Sequence, residues 1–233
     1  MTIKIDSFEL APLYNARKSG LFETLEEEGG SCLLFSKELE IAMAAGSDWQ
    51  RISRWIQKHD QNNQFALLAV HSAGLADAVE KLYPNKKRLD CYEAVWTKPT
   101  PPEFASDPAF RIRPAYLEDV TWISSRYDLE SEENLRLAVK DGDLFVAEEN
   151  GTVCGFGGFH GEKSMGLLEI LPDFRRKGYS LRLEAFLIAE SLKRGLIPYA
   201  DIFFWNQQSL AMQKKLGLQI MNERFCWFVP DDD

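Results

Sequence analysis

The chain is poor in the residues that build metal centres and disulfide frameworks. It has three histidines and four cysteines among 233 residues. The cysteines are Cys32, Cys91, Cys154 and Cys226. They lie far apart and form no CxxC pair, so their spacing predicts neither a zinc site nor a redox motif. We therefore predict no metal site and expect four reduced, mostly buried thiols.

Long apolar runs are also missing. No segment approaches the run of about 18 apolar residues that a membrane span needs. The first ten residues, MTIKIDSFEL, lack the apolar stretch of a signal peptide. We therefore expect a cytoplasmic protein without a membrane partner.

Neither GxxxxGK[ST] nor GxSxG occurs, which argues against a P-loop NTPase and an α/β-hydrolase.

The charge balance is acidic. There are 36 Asp and Glu against 27 Lys and Arg, for a formal net charge of −9. Nucleic-acid binders usually carry a basic face, so we expect no nucleic-acid partner. A cationic small substrate such as an amine fits this balance, but acidity that serves only solubility is the commoner explanation.

The length of the chain allows one large domain or two small ones. Segment 98–108 reads KPTPPEFASDP and holds four prolines, which resist helix and sheet interiors. We interpret 98–109 as a linker between an N-terminal α/β domain, 1–97, and a second domain, 110–233. A long surface loop inside one domain is the alternative.

The first 97 residues show alternating helical and strand patterns. Helices are predicted at Phe8–Lys18, Leu21–Glu28, Trp49–Lys58 and Leu75–Leu82. Strands are predicted at Ser31–Ser36, Phe65–Val70 and Leu89–Trp96.

The second half predicts the order β-α-α-β-β-β-α-β-α-β, with Asn150-Gly151 as a hairpin turn. This order indicates an α/β (α+β) fold, a mixed sheet with helices packed on it.

One stretch, Leu167 to Gly195, carries the clearest chemical signal. A buried strand runs into Pro172, then a short basic turn, then a long helix. Small residues at Gly178 and Ser180 allow a ligand to approach the backbone. Amides of the turn and of the first helical turn lack intrahelical acceptors, and the helix dipole favours an anion there. The pattern therefore indicates a phosphate-binding turn.

This stretch resembles the signature of the GNAT superfamily of acetyltransferases, in which a strand precedes Arg or Gln, two residues, Gly, one residue, and Gly or Ala. The chain has Arg175-Arg176-Lys177-Gly178-Tyr179-Ser180, with Ser180 in the last place. A second block, Asn206 to Leu218, has the expected Asn after a strand, a small residue three positions later and a Leu-Gly helix end. The resemblance covers Phe110 to Val229. It looks closest to the branch related to glycine N-acyltransferases, including a preceding domain. One interpretation of this domain, here 1–97, is a degenerate copy of the same fold.

The resemblance implies acetyl-CoA as cofactor and transfer of its acetyl group to a primary amine of a small molecule or amino acid. Residues implied in cofactor binding are Ile170, Leu171, Arg175, Arg176, Lys177, Gly178, Ser180, Asn206 and Ser209. Turn amides would hold the pyrophosphate, and the strand backbone would pair with the pantetheine arm. The acyl-chain length and the oligomeric state stay open. A non-catalytic acyl-CoA sensor or scaffold is the rival function.

Glu169 is the candidate general base, because it is a carboxylate in an otherwise apolar strand, where burial would raise its pKa. The alternative is a structural carboxylate paired with a cation such as Arg182. The family often places a Tyr general acid where this chain has Gln213. A water, Tyr127 or Tyr199 could substitute, or the thiolate could leave without an acid. His160 is a weaker candidate proton carrier.

The glycine-rich stretch Gly155 to Gly161 is interpreted as a strand that lets a ligand lie close, because no helix follows it. An acidic cluster precedes or opens a predicted helix and either attracts the amine or caps the helix. Its members are Asp128, Glu130, Glu132 and Glu133.

Overall fold

The computed structural model describes residues 10–222 and 225–231, which form two compact units. The first unit joins the chain up to Thr97 with the chain from Asp201 onward, and the second is Lys98–Ala200. This division differs from the expected domains, because the C-terminal segment groups with the first unit. The physical reason is strand pairing over long sequence separations, described below.

In the first unit, the helices are α1 (Ala11–Ser19), α2 (Trp49–His59), α3 (Ala73–Leu82) and α7 (Gln207–Leu216). The strands are β1 (Glu23–Glu28), β2 (Ser31–Ser36), β3 (Ile41–Ala45), β4 (Leu67–His71), β5 (Lys86–Val95), β11 (Gln219–Ile220) and β12 (Phe225–Pro230). Strand β10 (Tyr199–Phe203) crosses the boundary and enters this unit at Asp201.

The sheet of the first unit has the order β1-β2-β3-β4-β12-β5-β10, with β11 also paired to β5. Strand β12 lies antiparallel between β4 and β5, so the C-terminal segment is bound into this sheet by two backbone ladders. Pairs β1–β2 and β2–β3 are antiparallel, whereas β3–β4 is parallel and connected through α2. Apolar clusters cover both faces of the sheet.

The prediction of a helix over Leu21–Glu28 is wrong, because Glu23–Glu28 forms strand β1. Gly29 and Gly30 both have positive φ, 57° and 80°, the backbone of a tight hairpin turn. They therefore connect two strands instead of ending a helix. Since β1 is an edge strand with a largely exposed run of glutamates, it lacks the apolar alternation that would mark it as a strand.

In the second unit, the strands are β6 (Phe110–Pro114), β7 (Leu144–Glu149), β8 (Thr152–Phe159) and β9 (Met165–Ile170). The helices are α4 (Val120–Ser124), α5 (Glu132–Lys140) and α6 (Tyr179–Lys193), with short 3-10 turns at Leu117–Asp119 and Pro172–Phe174. These strands form an antiparallel sheet in the order β6-β7-β8-β9, so β9 is an edge strand.

Separate apolar clusters cover the two faces of this sheet. One contains Val120 and Ile123 of α4 together with Phe156 and Leu167. The other contains Ile170 with Tyr179 and Leu183 of α6. The mixed α/β architecture with sheets flanked by helices confirms the predicted fold class.

The order of elements repeats along the chain. A meander β1-β2-β3 is followed by α2, β4, α3 and β5, and a second meander β7-β8-β9 is followed by α6, β10, α7 and β11. The two halves share this order of elements, but the residues that precede α2 and α6 differ.

All four cysteines are buried and free. Among the helices in the described part of the chain, none is both long and apolar enough to cross a membrane.

Candidate cofactor site

Strand β9 carries a bulge at its centre. Phe156 of β8 pairs with Glu169, but Gly158 pairs with Gly166, so β9 holds one residue more than β8 between these pairs. Leu167, inside the bulge, has φ of +49°, which is uncommon for a non-glycine residue. Bulges of this kind redirect backbone groups away from the ladder.

Beyond the bulge, the backbone of Ile170 faces the free edge of the sheet. The Leu171 N–H donates to Cys154 O at 2.9 Å, and Ile170 lies one residue away, opposite Gly155. Antiparallel ladders alternate, so the Ile170 N–H and C=O point away from β8. In agreement, the Ile170 carbonyl accepts a hydrogen bond from Arg175 Nε at 2.8 Å.

Leu171 differs from the expectation, which gave its backbone the same role as that of Ile170. Its N–H is used in the ladder, and its carbonyl accepts from the Phe174 N–H at 2.9 Å. Of these two residues, only Ile170 therefore has main-chain groups that face outward.

The basic turn has the backbone of an anion-binding loop. Arg176 and Gly178 both adopt positive φ, 64° and 82°, and helix α6 starts immediately after Gly178. The first intrahelical bond is donated by the Arg182 N–H to Gly178 O at 3.2 Å. The amides of Tyr179, Ser180 and Leu181 precede it and have no acceptor within the helix.

Space is open in front of this helix start. No side chain caps α6, and a Cβ built on Gly178 would meet no heavy atom within 4 Å. The unused amides and the positive end of the helix dipole therefore face a region that can accept a phosphate group.

The three basic side chains of the turn differ in their partners. Lys177 Nζ binds both oxygens of Glu149, at 2.9 and 2.8 Å. The Tyr179 hydroxyl donates to the same carboxylate, which raises the pKa of Tyr179 to about 12. Lys177 is thus tied to β7, and its hydrogen bond is the largest cause of the lowered pKa of Glu149. Arg175 is exposed but contacts the Ile170 carbonyl and Glu169. Arg176 is exposed as well.

Glu149 and the aromatic ring of Tyr179 were not singled out from the sequence. Tyr179 stacks on Phe110 with ring centroids 4.4 Å apart and an interplanar angle of 17°. Together with the Glu149 contacts, this stacking fixes the first residue of α6 to β6 and β7. In the sequence, these contacts were indicated only by an aromatic residue, Tyr179, at the position of the signature where any residue is allowed.

Glu169 is less buried than its apolar surroundings predicted. Its side chain is 27% exposed, and Oε1 lies 3.7 Å from Arg175 Nη2. The nearest cation is therefore Arg175. Arg182 instead donates to Ala105 O at 2.8 Å. Since Glu169 is the register partner of Phe156, its side chain lies on the same sheet face as the Phe156 ring.

Asn206 and Ser209 belong to the first unit, whereas the residues of the basic turn belong to the second. Asn206 is the N-cap of α7, and its side chain accepts the Ser209 N–H at 3.0 Å. This cap explains an Asn at that position by helix stability alone. Gln213 is buried in the same helix. A cofactor role for Asn206 and Ser209 stays a prediction.

Helix α2 starts at the corresponding place in the repeated element order, but its start is closed. The Asp48 side chain accepts the Arg51 N–H at 3.0 Å and lies 3.3 Å from Arg51 Nε. A carboxylate thus occupies the position that an anionic ligand would need, and it would repel a phosphate. Of the two helix starts, only that of α6 is suited to a phosphate.

Comparison with known proteins agrees with this geometry. Residues 87–218 match the model of the acetyltransferase (GNAT) family. The chain belongs to this family. A comparison with curated protein sequences finds no significant match.

Solved structures with the same fold span both units. A Drosophila protein is 15% identical, with a TM-score of 0.74, covering 98% of this chain and 92% of its own. A GCN5-related N-acetyltransferase from Kribbella flavida is 13% identical, with a TM-score of 0.59 and 96% of each chain covered. A GNAT-family acetyltransferase from Colwellia psychrerythraea is 13% identical, with a TM-score of 0.52, covering 97% of this chain and 98% of its own. At these identities the likeness concerns the fold alone.

Proposed function

We propose that this protein is an N-acetyltransferase that uses acetyl-CoA and acetylates a primary amine of a small molecule or amino acid. The observation that carries the proposal is the open, uncapped start of α6, where unused amides follow two residues of positive φ. Family membership supplies the reaction class, and the turn supplies a place for the cofactor phosphates.

The residues of the turn fit a pyrophosphate. The amides of Gly178 and Ser180 would bind phosphate oxygens, and Arg175 and Arg176 would add positive charge. Each charge–dipole contact at a helix start contributes about 0.3–1 kcal/mol at an exposed site. The backbone amides of Arg176 and Lys177 would add to these donors, while the Lys177 side chain supports the turn through its bond to Glu149.

The outward-facing N–H of Ile170 would align the pantetheine arm along the free edge of β9, since the Ile170 carbonyl already accepts from Arg175 Nε. When bound, acetyl-CoA supplies an activated acetyl thioester that a neutral amine can attack. An amide donor placed at the carbonyl oxygen would stabilise the charge that develops there, and loss of such a donor costs about 2.7–4 kcal/mol.

The attacking amine must lose a proton, since alkyl amines are mostly protonated at neutral pH. Glu169 is the candidate for this role from the sequence, and its ion pair with Arg175 gives it a competing structural role. Gln213 cannot supply a proton to the departing thiolate. The thiolate needs no acid, because a free thiol has a pKa near 8.5.

We also propose that the chain belongs to the branch that resembles glycine N-acyltransferases, with residues 1–97 as a degenerate copy of the same fold. The repeated element order supports this placement. Because Asp48 closes the start of α2 and residues 45–47 before it include no basic side chain, we expect one acetyl-CoA per chain.

A non-catalytic acyl-CoA sensor is the second candidate. The observation that favours it is Gln213, which stands at the position where the family often has a Tyr. Both candidates require the cofactor turn, so they differ only in the transfer step.

An acetyl-transfer assay separates the two candidates. Wild-type protein is incubated with acetyl-CoA and a panel of primary amines, and release of the CoA thiol is followed against an amine-free control. Release that depends on an amine supports the enzyme. A protein that binds acetyl-CoA but releases no thiol above the control with any amine is a sensor.

A further inference from the structure

An apolar cavity of about 290 Å³ lies against helix α6 in the second unit. The proline-rich segment 98–108, strand β6 and one side of α6 form its walls. The lining includes Pro101, Pro102 and Phe104 of the segment, Phe110 of β6, and Arg182 and Phe186 of α6. Pockets that hold a whole small molecule measure about 300–1,000 Å³. This cavity therefore suits one ring system of a ligand better than a complete cofactor.

Contacts with Arg182 hold the proline-rich segment on α6. Arg182 Nη1 donates to Ala105 O at 2.8 Å, and its Cζ lies 5.5 Å from the centroid of the Phe104 ring. The segment is thus a wall attached to the helix. Phe104 is nevertheless 41% exposed, so part of its ring is open to a ligand.

The other aromatic walls are held from behind. Phe186 packs edge-on against Phe145 of β7, with ring centroids 4.9 Å apart, and Phe110 stacks on Tyr179. Rings that are already fixed lose little conformational freedom when a ligand binds. Purine bases stack on aromatic rings and on the guanidinium planes of arginines. The lining therefore suits a flat heteroaromatic ring.

The cavity carries a positive charge. Among the described residues, Arg182 is the one charged side chain of the lining. Glu103 lies in the same segment, but it is exposed and does not line the cavity. A guanidinium has several N–H donors, and in the described part of the chain Arg182 uses them only for the Ala105 carbonyl. Donors therefore remain for a phosphate, which arginine binds well.

The cavity lies next to the phosphate-binding turn. Tyr179, the first residue of α6, stacks on Phe110 with ring centroids 4.4 Å apart, and Phe110 lines the cavity. Arg182 follows Gly178 by four residues, which is about 6 Å along a helix axis. In CoA, a ribose of comparable length separates the pyrophosphate from the adenine and from the 3′-phosphate. A pyrophosphate at the turn thus places its nucleoside beside the cavity.

We propose that this cavity binds the 3′-phosphoadenosine end of acetyl-CoA. The adenine packs on Phe104 and Phe110, and the 3′-phosphate accepts hydrogen bonds from Arg182. The inference rests on the proposed use of acetyl-CoA. It makes segment 98–108 part of the cofactor site and makes Arg182 the residue that selects a 3′-phosphorylated cofactor.

Calorimetric titration with acetyl-CoA and with acetyl-dephospho-CoA, which lacks the 3′-phosphate, tests the proposal. Wild type should bind acetyl-CoA about tenfold more tightly, because hydrogen bonds to charged groups are strong. Arg182→Gln should bind the two cofactors with equal affinity. The ratio of the two affinities is the readout, because a loosened segment 98–108 would weaken both by the same factor.

Phe104→Ala should give a different pattern. Both cofactors contain adenine, so loss of the ring should weaken both by about fivefold or more and leave their ratio unchanged. Leu129→Ala is the control, because Leu129 is an exposed apolar side chain of the same unit that does not line the cavity. It should keep both wild-type affinities.

Lys193→Gln is the control for charge. It removes one positive charge from the same helix, eleven residues beyond Arg182 and about 16 Å further along the axis, so it should keep the wild-type ratio. Equal ratios for Arg182→Gln and wild type, or for Arg182→Gln and Lys193→Gln, would overturn the proposal.

Unchanged affinities in Phe104→Ala would overturn it as well and would mean that another molecule, or a second copy of this chain, covers the cavity. Wild-type protein that binds neither cofactor would instead remove the proposed function itself.

Discussion

A buried His–Glu pair in the first unit predicts a specific dependence of stability on pH. His71 Nδ1 lies 3.7 Å from Glu93 Oε2, and both side chains are less than 5% exposed. His71 Nε2 and Glu93 Oε1 have no hydrogen-bond partner among the described residues. Burial lowers the pKa of His71 to about 3 and raises the pKa of Glu93 well above its ordinary value. Both groups are therefore neutral in the folded protein at mildly acidic pH.

The two shifts act on stability in opposite directions. As pH falls below 6.5, the unfolded chain protonates His71 while the folded protein does not, so His71 costs stability. Between pH 7 and pH 5 this amounts to about 2 kcal/mol, at 1.36 kcal/mol per pKa unit. As pH rises above 4.5, the unfolded chain ionises Glu93 while the folded protein does not, so Glu93 costs stability on the alkaline side.

Glu93→Gln should separate these contributions. In Glu93→Gln only the His71 contribution to the pH dependence remains. As pH falls from 7 to 5, the free energy of unfolding should therefore decrease more steeply in this variant than in the wild type. His71→Gln should change the slope in the opposite direction. Urea unfolding followed by tryptophan fluorescence at each pH measures both.

His59→Gln, at a partly exposed histidine of the same unit, is the control and should leave the slope unchanged. Slopes that are identical for wild type, Glu93→Gln and His71→Gln would refute the reasoning.

Further predictions concern the second unit and the closed start of α2. Glu149→Gln should bring the pKa of Tyr179 down from about 12 towards its ordinary value of 10, as read by ultraviolet absorbance at alkaline pH, and an unchanged titration would mean that Glu149 does not hold the phenol. Gly155→Ala should destabilise the protein by about 1–3 kcal/mol, because its Cβ would lie 2.4 Å from Glu169 O, and an unchanged unfolding midpoint would contradict that contact. Asp48→Ala should leave the calorimetric stoichiometry at one acetyl-CoA per chain, because the turn before α2 has no basic residues like those before α6. Binding of a second acetyl-CoA would show that the Asp48 carboxylate alone closes this site.

Local signals in the sequence predicted most helices and strands of the second unit. Asn150 and Gly151 both adopt positive φ, 51° and 78°, as a tight hairpin turn requires. The long helix expected after the basic turn is confirmed as α6, which starts at Tyr179.

Features that depend on distant pairing could not be predicted. Strand β12 lies between β4 and β5, and nothing in its own residues specifies these partners. The same holds for Glu149, which binds Lys177 from a strand 28 positions away. The bulge at Leu167 could not be predicted either, because leucine rarely adopts a positive φ.

Calorimetric titration with acetyl-CoA tests the central claim most directly. Asp and Asn adopt positive φ about equally well, so Gly178→Asp and Gly178→Asn differ mainly in charge. Gly142→Asp is the control, because it places the same charge at another glycine of positive φ, +71°, with open space around it. We predict micromolar binding by wild type and Gly142→Asp, and at least tenfold weaker binding by Gly178→Asp than by Gly178→Asn. Equal affinities for Gly178→Asp and Gly178→Asn, or no binding by wild type at millimolar acetyl-CoA, would contradict a cofactor site at the start of α6.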